Sequence, residues 1–211
     1  SVIRKLKPDL ILVATFSEMI SKELLLIPKI GSFNIHPSLL PKYRGGFPEF
    51  STIYNGDKYA GITFHQMTEK FDQGDLIMQR KIPILGEDNT VTLKKRLAEL
   101  ACDSLPDFLR LINKKSFEKT KQDQTVASYC KLRFNSNLIL SSLTTKRIKN
   151  IIKAYQGEKY EPYFLLGNKK VFVLSYGKEG YSFNCKDGKV IFDIIRFKHK
   201  IFKRNEIKSL I

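Results

Sequence analysis

Apolar and polar positions alternate in blocks that mark out the chain's elements. Asp9 to Thr15 is a nearly unbroken apolar run of strand length and predicts a strand buried on both faces. Ser21 to Ile27 predicts a short helix, with Ser21 as N-cap, Glu23 in the first turn and Pro28 as the stop. Gly31 to His36 predicts the next strand, and Gly46 to Asn55 a helix closed by Asn55-Gly56. Tyr59 to Met67 and Leu76 to Ile84 follow as strands. From Asn89 to Leu111 the apolar residues Leu93, Leu97, Leu100, Ala101, Leu105, Phe108 and Leu109 recur at three and four, which predicts a long amphipathic helix kinked at Pro106.

The pattern then changes. Lys114 to Thr125 is polar and charged and predicts a linker. Thr144 to Tyr155 predicts a basic helix with Ile148, Ile151 and Ile152 on one side. Tyr163 to Leu166, Lys170 to Tyr176, Tyr181 to Cys185 and Lys189 to Phe197 predict short strands, with turns at Gly167-Asn168 and Asp187-Gly188. Short strands at regular turns suggest a small barrel or sheet. The reading is therefore an α/β domain followed by a β-rich one.

Charge sharpens that division. The net charge is +16. Residues 1–112 hold 15 basic and 13 acidic side chains, whereas residues 113–211 hold 22 and 8. A nearly neutral half is followed by a polycation, which points to an anionic partner, RNA first. A solvated lysine-rich surface is the plain alternative. No run of 18 apolar residues offers a membrane span. The basic start, Ser1 to Lys7, lacks the apolar core of a signal. Three widely spaced cysteines, Cys102, Cys130 and Cys185, form neither a disulfide framework nor a zinc motif. The expectation is a cytoplasmic protein with reduced thiols.

The candidate chemistry sits in two short motifs. Asn34 and His36 lie two residues apart on a predicted strand and so share a face. Pro37 to Pro41 then turns the chain, leaving both at the strand's carboxyl end, where open α/β sheets place their sites. An imidazole moves protons near neutral pH, and a neutral amide donates to a developing oxyanion. Phe71-Asp72-Gln73-Gly74-Asp75 adds carboxylates around a glycine turn. A carboxylate beside an imidazole fixes its tautomer and raises its pKa. Asp75 reads as a turn-organising residue, His65 as a satisfied strand histidine and His199 as a surface residue. No His/Cys/carboxylate cluster has metal spacing.

Together, Asn34-x-His36 and Phe71-Asp72-x-Gly74-Asp75 resemble the signature of the 10-formyltetrahydrofolate-dependent formyltransferases. That family includes enzymes acting on methionyl-tRNA, glycinamide ribonucleotide and nucleotide-linked amino sugars. The resemblance runs from about Lys7 to Ile112, with a weaker echo beyond. It implies a Rossmann-like catalytic domain over 1–112, N-terminally abbreviated by one βαβ half, a linker over 113–127, and a basic, open-barrel-like domain over 128–211. The implied catalytic residues are Asn34, His36 and Asp72. Phe16, Glu18 and Ile20 would lie on one side of the folate, and Thr68, Glu69, Lys70 and Phe71 on the other. Arg44 would meet acceptor phosphate or, equally, make a structural salt bridge, and Lys146, Arg147, Lys149 and Lys153 would grip the acceptor.

The implied reaction is formyl transfer from 10-formyltetrahydrofolate to a primary amine, without a metal. Methionyl-tRNA fits the basic half, and a nucleotide-linked amino sugar fits its small size. A folate deformylase, an inactive fragment and a basic RNA-binding module are the remaining readings. No membrane and no obligate protein partner is implied.

Overall fold

The computed structural model describes residues 2–114, 117–130, 137–203 and 206. They group into two compact units, one of residues 1–52, 58–85 and 93–131, the other of residues 53–57, 86–92 and 132–211.

The first unit is built on a four-stranded mixed sheet. Helix α1 (Val2–Leu6) leads to strand β1 (Leu10–Ala14), and α2 (Lys22–Leu25) to β2 (Gly31–His36). Helix α3 (Pro48–Asn55) precedes β3 (Tyr59–Gln66) and β4 (Leu76–Pro83), and α4 (Thr90–Asn113) follows. The strand order is β1-β2-β3-β4. β1 runs parallel to β2, with Val13 beside Asn34, while β3 and β4 are antiparallel. Among the described residues β1 is the last strand in the order, and every one of its residues is partly accessible.

The two faces of the sheet have opposite characters, because side chains alternate along each strand. Phe33, Ile62 and Phe64 are buried with Leu93, Leu97, Phe108 and Ile112 of α4. Phe64 stacks on Phe108 at 4.5 Å between centroids, and Phe33 meets Phe108 edge-on at 5.5 Å. Each such burial stabilises by about 1.5–3 kcal/mol, and each ring pair adds about 0.5–1.5 kcal/mol. Asn34, His36, Thr63 and His65 occupy the alternate positions, so the polar residues stand opposite the aromatic core. Leu109, expected among the core-facing residues of α4, is instead 42% exposed.

The linker expectation is corrected. Thr120 exchanges two backbone hydrogen bonds with Leu76 at the start of β4. Gln122 is buried, and Arg44 bridges to Tyr129. The polar composition of this stretch reflects hydrogen bonding to site loops. Residues 115 and 116 lie outside the described residues.

The second unit holds α5 (Thr145–Tyr155) and an antiparallel sheet of β5 (Tyr163–Leu166), β6 (Lys169–Cys185), β7 (Gly188–Phe197) and β8 (Lys200–Lys203). Thr144 caps α5 by accepting from the Arg147 N–H at 3.2 Å. Ile148, Ile151 and Ile152 are buried, as their spacing predicts, and α5 packs on β6 and β7. Phe164, Phe183 and Phe192 form an aromatic cluster in this unit.

Two predicted strands are one: β6 runs through both, with Tyr176 and Tyr181 each opposite Phe192 and Gly177 to Gly180 bulging between. A Cβ at Gly180 would sit 2.2 Å from the Phe192 carbonyl oxygen, so the bulge requires glycine there. Of the open-barrel-like expectation, the described residues show the sheet alone. The order is β5-β6-β7-β8, and among the described residues nothing pairs β5 with β8, so the sheet is open. The expected final segment extends past β8 into 204, 205 and 207, which lie outside the described residues.

Candidate active site

Strand β2 delivers Asn34 and His36 to one face at its carboxyl end. The antiparallel register sets His65 directly across from Asn34 and Thr63 across from His36. Thr63 is completely buried, and its hydroxyl donates to the Ser38 carbonyl at 2.6 Å while accepting from Leu40 N–H and Gln79. The bonds to Ser38 and Leu40 hold the Pro37–Pro41 turn against β3.

Asp72 arrives from the β3–β4 connection. It adopts φ +54°, a conformation that aspartate tolerates better than most residues. Gly74 packs so tightly on β3 that a Cβ would fall 1.8 Å from the Gln66 carbonyl oxygen. Glycine at 74 is therefore what lets the loop lie against the strand that carries His65.

The three groups meet. Asp72 Oδ2 lies 3.5 Å from His36 Nδ1 and accepts the Gly45 backbone N–H at 2.7 Å. Asp72 Oδ1 accepts from Asn34 Nδ2 at 3.3 Å and lies 3.3 Å from His65 Nε2. His36 and His65 are almost wholly buried.

Hydrogen-bond partners fix the tautomers. His36 Nε2 is 2.7 Å from the Tyr43 carbonyl oxygen, so Nε2 carries a hydrogen. Proton exchange at His36 therefore takes place at Nδ1, which faces Asp72. His65 Nδ1 donates to the Gln66 carbonyl at 3.0 Å, and its Nε2 lies 3.2 Å from Asn34 Nδ2 and 3.3 Å from Asp72 Oδ1. The two Asn34 N–H groups then bridge His65 and Asp72. This orients the amide with its nitrogen toward the acid.

Burial disfavours the charged imidazole and sets the His36 pKa below its ordinary value of 6.5, although Asp72 and the Tyr43 carbonyl pull the other way. Burial also acts to raise the Asp72 carboxyl. The adjacent His65 and His36 rings and the Gly45 N–H outweigh it, and the Asp72 pKa lies below its ordinary 3.8. At neutral pH the site thus pairs a carboxylate with a neutral imidazole that accepts a proton at Nδ1. Cys130 donates its thiol to the same Tyr43 carbonyl at 3.3 Å, and burial pushes its pKa up to about 11, so it stays a thiol.

The remaining expected residues are distributed as follows. Phe16 and Glu18 are exposed and Ile20 half-buried on the irregular loop after β1. Parallel pairing of β1 with β2 puts that loop at the same sheet end as Asn34 and His36. Thr68, Glu69, Lys70 and Phe71 are exposed in the loop leading to Asp72.

Arg44 does not meet the expectation of an exposed phosphate ligand. It is 1% exposed, and its guanidinium donates to Gln122 Oε1 at 3.0 and 2.6 Å and to Gln124 Oε1 at 3.0 Å. An arginine enclosed by amides braces its loop.

In the second unit, Arg147 lies over the Tyr54 ring at 4.0 Å and donates to the Tyr54 carbonyl, and Lys153 donates to the Gly86 carbonyl. Lys146, Lys149 and Lys153 line one concavity of about 550 Å³ with Tyr176. A more apolar concavity of about 390 Å³ is lined by Phe164, Val171, Ile195 and Phe197. Neither includes His36 or Asp72.

Two residues of the site were given no role in the chemistry by sequence reasoning. His65 had the signal of a histidine at strand spacing from Thr63 and was read as a satisfied strand histidine. Gln122 had none, because only the tertiary fold returns residues 120–130 to the loops at 44 and 72.

Comparison with known proteins adds a family. The model of the family described as formyl transferase matches residues 1–109. The chain is 32% identical over 215 residues to a methionyl-tRNA formyltransferase of Thermotoga maritima, covering 94% of this chain and 68% of that protein. It is 34% identical over 157 residues to the one of Kosmotoga olearia, covering 74% of this chain and 50% of that protein. Among solved structures, HypX from Aquifex aeolicus in complex with tetrahydrofolic acid superposes with TM-score 0.71 at 19% identity, over 99% of this chain and 40% of that one. WlaRD, a sugar 3N-formyl transferase, superposes with TM-score 0.68 at 21% identity, over 95% of this chain and 75% of that one.

Proposed function

The chain belongs to the formyl transferase family, and from that premise we propose that it transfers a formyl group from 10-formyltetrahydrofolate to the amino group of methionyl-tRNA. The observation that carries this reading is the convergence of the Asn34 amide nitrogen, His36 Nδ1 and the Asp72 carboxylate at one strand end. Those are a neutral donor, a proton-exchanging ring and a general base within one bond or one water of each other.

In this reading the acceptor amine attacks the formyl carbon, and the carbonyl oxygen becomes an oxyanion. Asn34 Nδ2 turns one N–H to that oxygen, and His36 donates from Nδ1 when protonated. Asp72 receives the proton the amine loses, directly or through one water. Collapse of the oxyanion expels the folate nitrogen, which takes up the amine's proton, passed on from Asp72 through His36 Nδ1 or that water. The products are the formamide and tetrahydrofolate. His65 keeps the Asn34 amide aimed, and Tyr43 keeps the His36 ring aimed.

The folate fits the site's edges. Phe16 and Phe71 are about half exposed and offer apolar surface to a pterin. The loop after β1 is irregular backbone beside the chemistry. HypX, of the same fold, is described with tetrahydrofolic acid, and WlaRD with 5-N-formyl-THF. Lys146 and Lys149 in the second unit serve acceptor phosphates, consistent with the 22 basic residues beyond position 112.

A nucleotide-linked amino sugar is the second reading, favoured by the fold shared with WlaRD. The test follows tetrahydrofolate release from 10-formyltetrahydrofolate with each acceptor in turn. Release dependent on methionyl-tRNA is expected. Release only with the amino-sugar nucleotide puts the second reading first, and release with neither refutes both.

A further inference from the structure

Beyond the groups that touch reactants, we infer that Gln122 is a positioning residue that clasps the two active-site loops together. The inference rests on the formyl-transfer reading for its kinetic consequence, although the clasp itself is a matter of geometry.

Every hydrogen-bonding valence of the Gln122 amide is in use. Nε2 donates to the Asp72 carbonyl at 2.8 Å and to the Gly74 carbonyl at 2.7 Å. Oε1 accepts twice from Arg44, from Nε at 3.0 Å and Nη2 at 2.6 Å. A primary amide has two donors and two acceptor lone pairs, so the side chain is saturated. It is also 7% exposed, which makes each of those bonds costly to lose.

The two loops it joins are the two that set the chemistry. On one side, the residues flanking Arg44 address the active groups. Tyr43 offers its carbonyl to His36 Nε2, and Gly45 gives its N–H to Asp72 Oδ2. On the other side is Asp72 itself, held at φ +54°.

The carrier segment is anchored at both ends. Thr120 pairs with Leu76, Arg44 N–H donates to Ser128, and Cys130 N–H donates to Arg44. A second, weaker strut runs parallel, as Gln73 donates to the Tyr129 hydroxyl beneath the Arg44 guanidinium. Without the clasp, the Gly45–Asp72 bond, the Gln73–Tyr129 strut and side-chain bonds inside the site would be left to set the distance between the loops. A misplacement of about 1 Å at such a site costs on the order of 100-fold in rate.

Glutamate at 122 is nearly isosteric. It keeps an acceptor for Arg44 but turns an oxygen toward two carbonyl oxygens. In the full-length enzyme, Gln122→Glu is expected to lower kcat by about tenfold or more, with KM for 10-formyltetrahydrofolate changed by no more than about twofold. The acid limb of the rate profile should move to higher pH as Asp72 loses its Gly45 donor. Gln122→Asn keeps the amide but is one methylene short, so it should show the same effects to a smaller degree. Circular dichroism and thermal melting establish whether each variant folds.

An unchanged kcat and pH profile in folded Gln122→Glu overturns the clasp. If both variants fail to fold, Gln122 is a framework residue and the positioning role is likewise overturned. Nitrogen-15 titration of the His36 and His65 rings separates this inference from the reaction it rests on. If the wild-type protein transfers no formyl group, the functional reading fails. Ring titrations shifted in Gln122→Glu still support the clasp, and unshifted ones refute it.

Discussion

The Asn34 side-chain nitrogen lies 3.2 Å from His65 Nε2, across a β2–β3 pair in which the two residues are direct partners. Because the Gln66 carbonyl takes the Nδ1 hydrogen, Nε2 is the ring atom that meets both the Asn34 amide nitrogen and Asp72 Oδ1. In the proposed mechanism the Asn34 amide is thus oriented by a residue that need not touch the substrate. His65→Leu should lower turnover by about tenfold and destabilise the protein by about 1–3 kcal/mol, since it strands a buried N–H. Steady-state kinetics and urea unfolding check the two parts separately. Turnover equal to wild type would remove His65 from the mechanism.

Loss of the groups that address the reaction should be more severe. Asn34→Ala, His36→Ala and Asp72→Ala are each expected to lower turnover by about two orders of magnitude or more. Their folds should survive, because the aromatic core lies on the opposite sheet face. Near-normal turnover in His36→Ala would end the proposed mechanism.

Stability should fall on acidification with a recognisable onset. The unfolded chain takes up a proton at His36 near its ordinary pKa of 6.5, whereas the native ring, whose pKa is lowered, resists it. The unfolded state then binds more protons, so stability falls as pH drops below about 6.5, by up to about 1.4 kcal/mol per pH unit from this group. Asp72, whose pKa is also lowered, adds a loss of the same sign below pH 3.8. Thermal melts from pH 8 to 5 should show the first effect. His36→Gln should flatten the slope in that window, and an identical slope would show that His36 does not carry it.

The basic helix divides into two roles. Arg147 bonds to the Tyr54 carbonyl of its own unit, Lys146 and Lys149 line the concavity beside Tyr176, and Lys153 lines it too while donating to the Gly86 carbonyl. Lys146→Glu with Lys149→Glu should weaken tRNA binding and flatten its salt dependence by roughly 0.7–0.9 in log–log slope for each phosphate no longer neutralised. Fluorescence anisotropy across a salt series measures both. Arg147→Glu should act chiefly on thermal stability. A salt slope unaltered by the double reversal would reduce these lysines to surface charge.

Gly74→Ala tests the close approach that delivers Asp72. Its Cβ has no room beside the Gln66 carbonyl, so loop or strand must shift, at a cost of about 1–3 kcal/mol. A denaturation midpoint equal to wild type would show that the loop relocates freely.

Local rules made much of this molecule legible. Period-two alternation put Asn34 and His36 on one face of β2, and the turn residues after them closed the strand, because both signals act over a few residues. The same holds for α5, whose cap Thr144 and buried Ile148, Ile151 and Ile152 follow from helical spacing. Other features depended on pairings between distant segments. The apolar run Leu10 to Ala14 marks a strand, but its parallel pairing with β2 comes from the sheet order. Arg44 looked like an anion ligand because its charge is visible in sequence and its burial is not. The polar stretch around Gln122 looked like a linker because hydrogen-bonding residues have the same composition whether they face water or a folded loop. Sequence by itself determined which groups can do the chemistry and the strand that carries two of them. Tertiary structure alone decided that His65 and Gln122 hold those groups in place. Their bonds close across 31 and 50 residues of chain, to Asn34 and to the Asp72 carbonyl, and no local rule reaches that far.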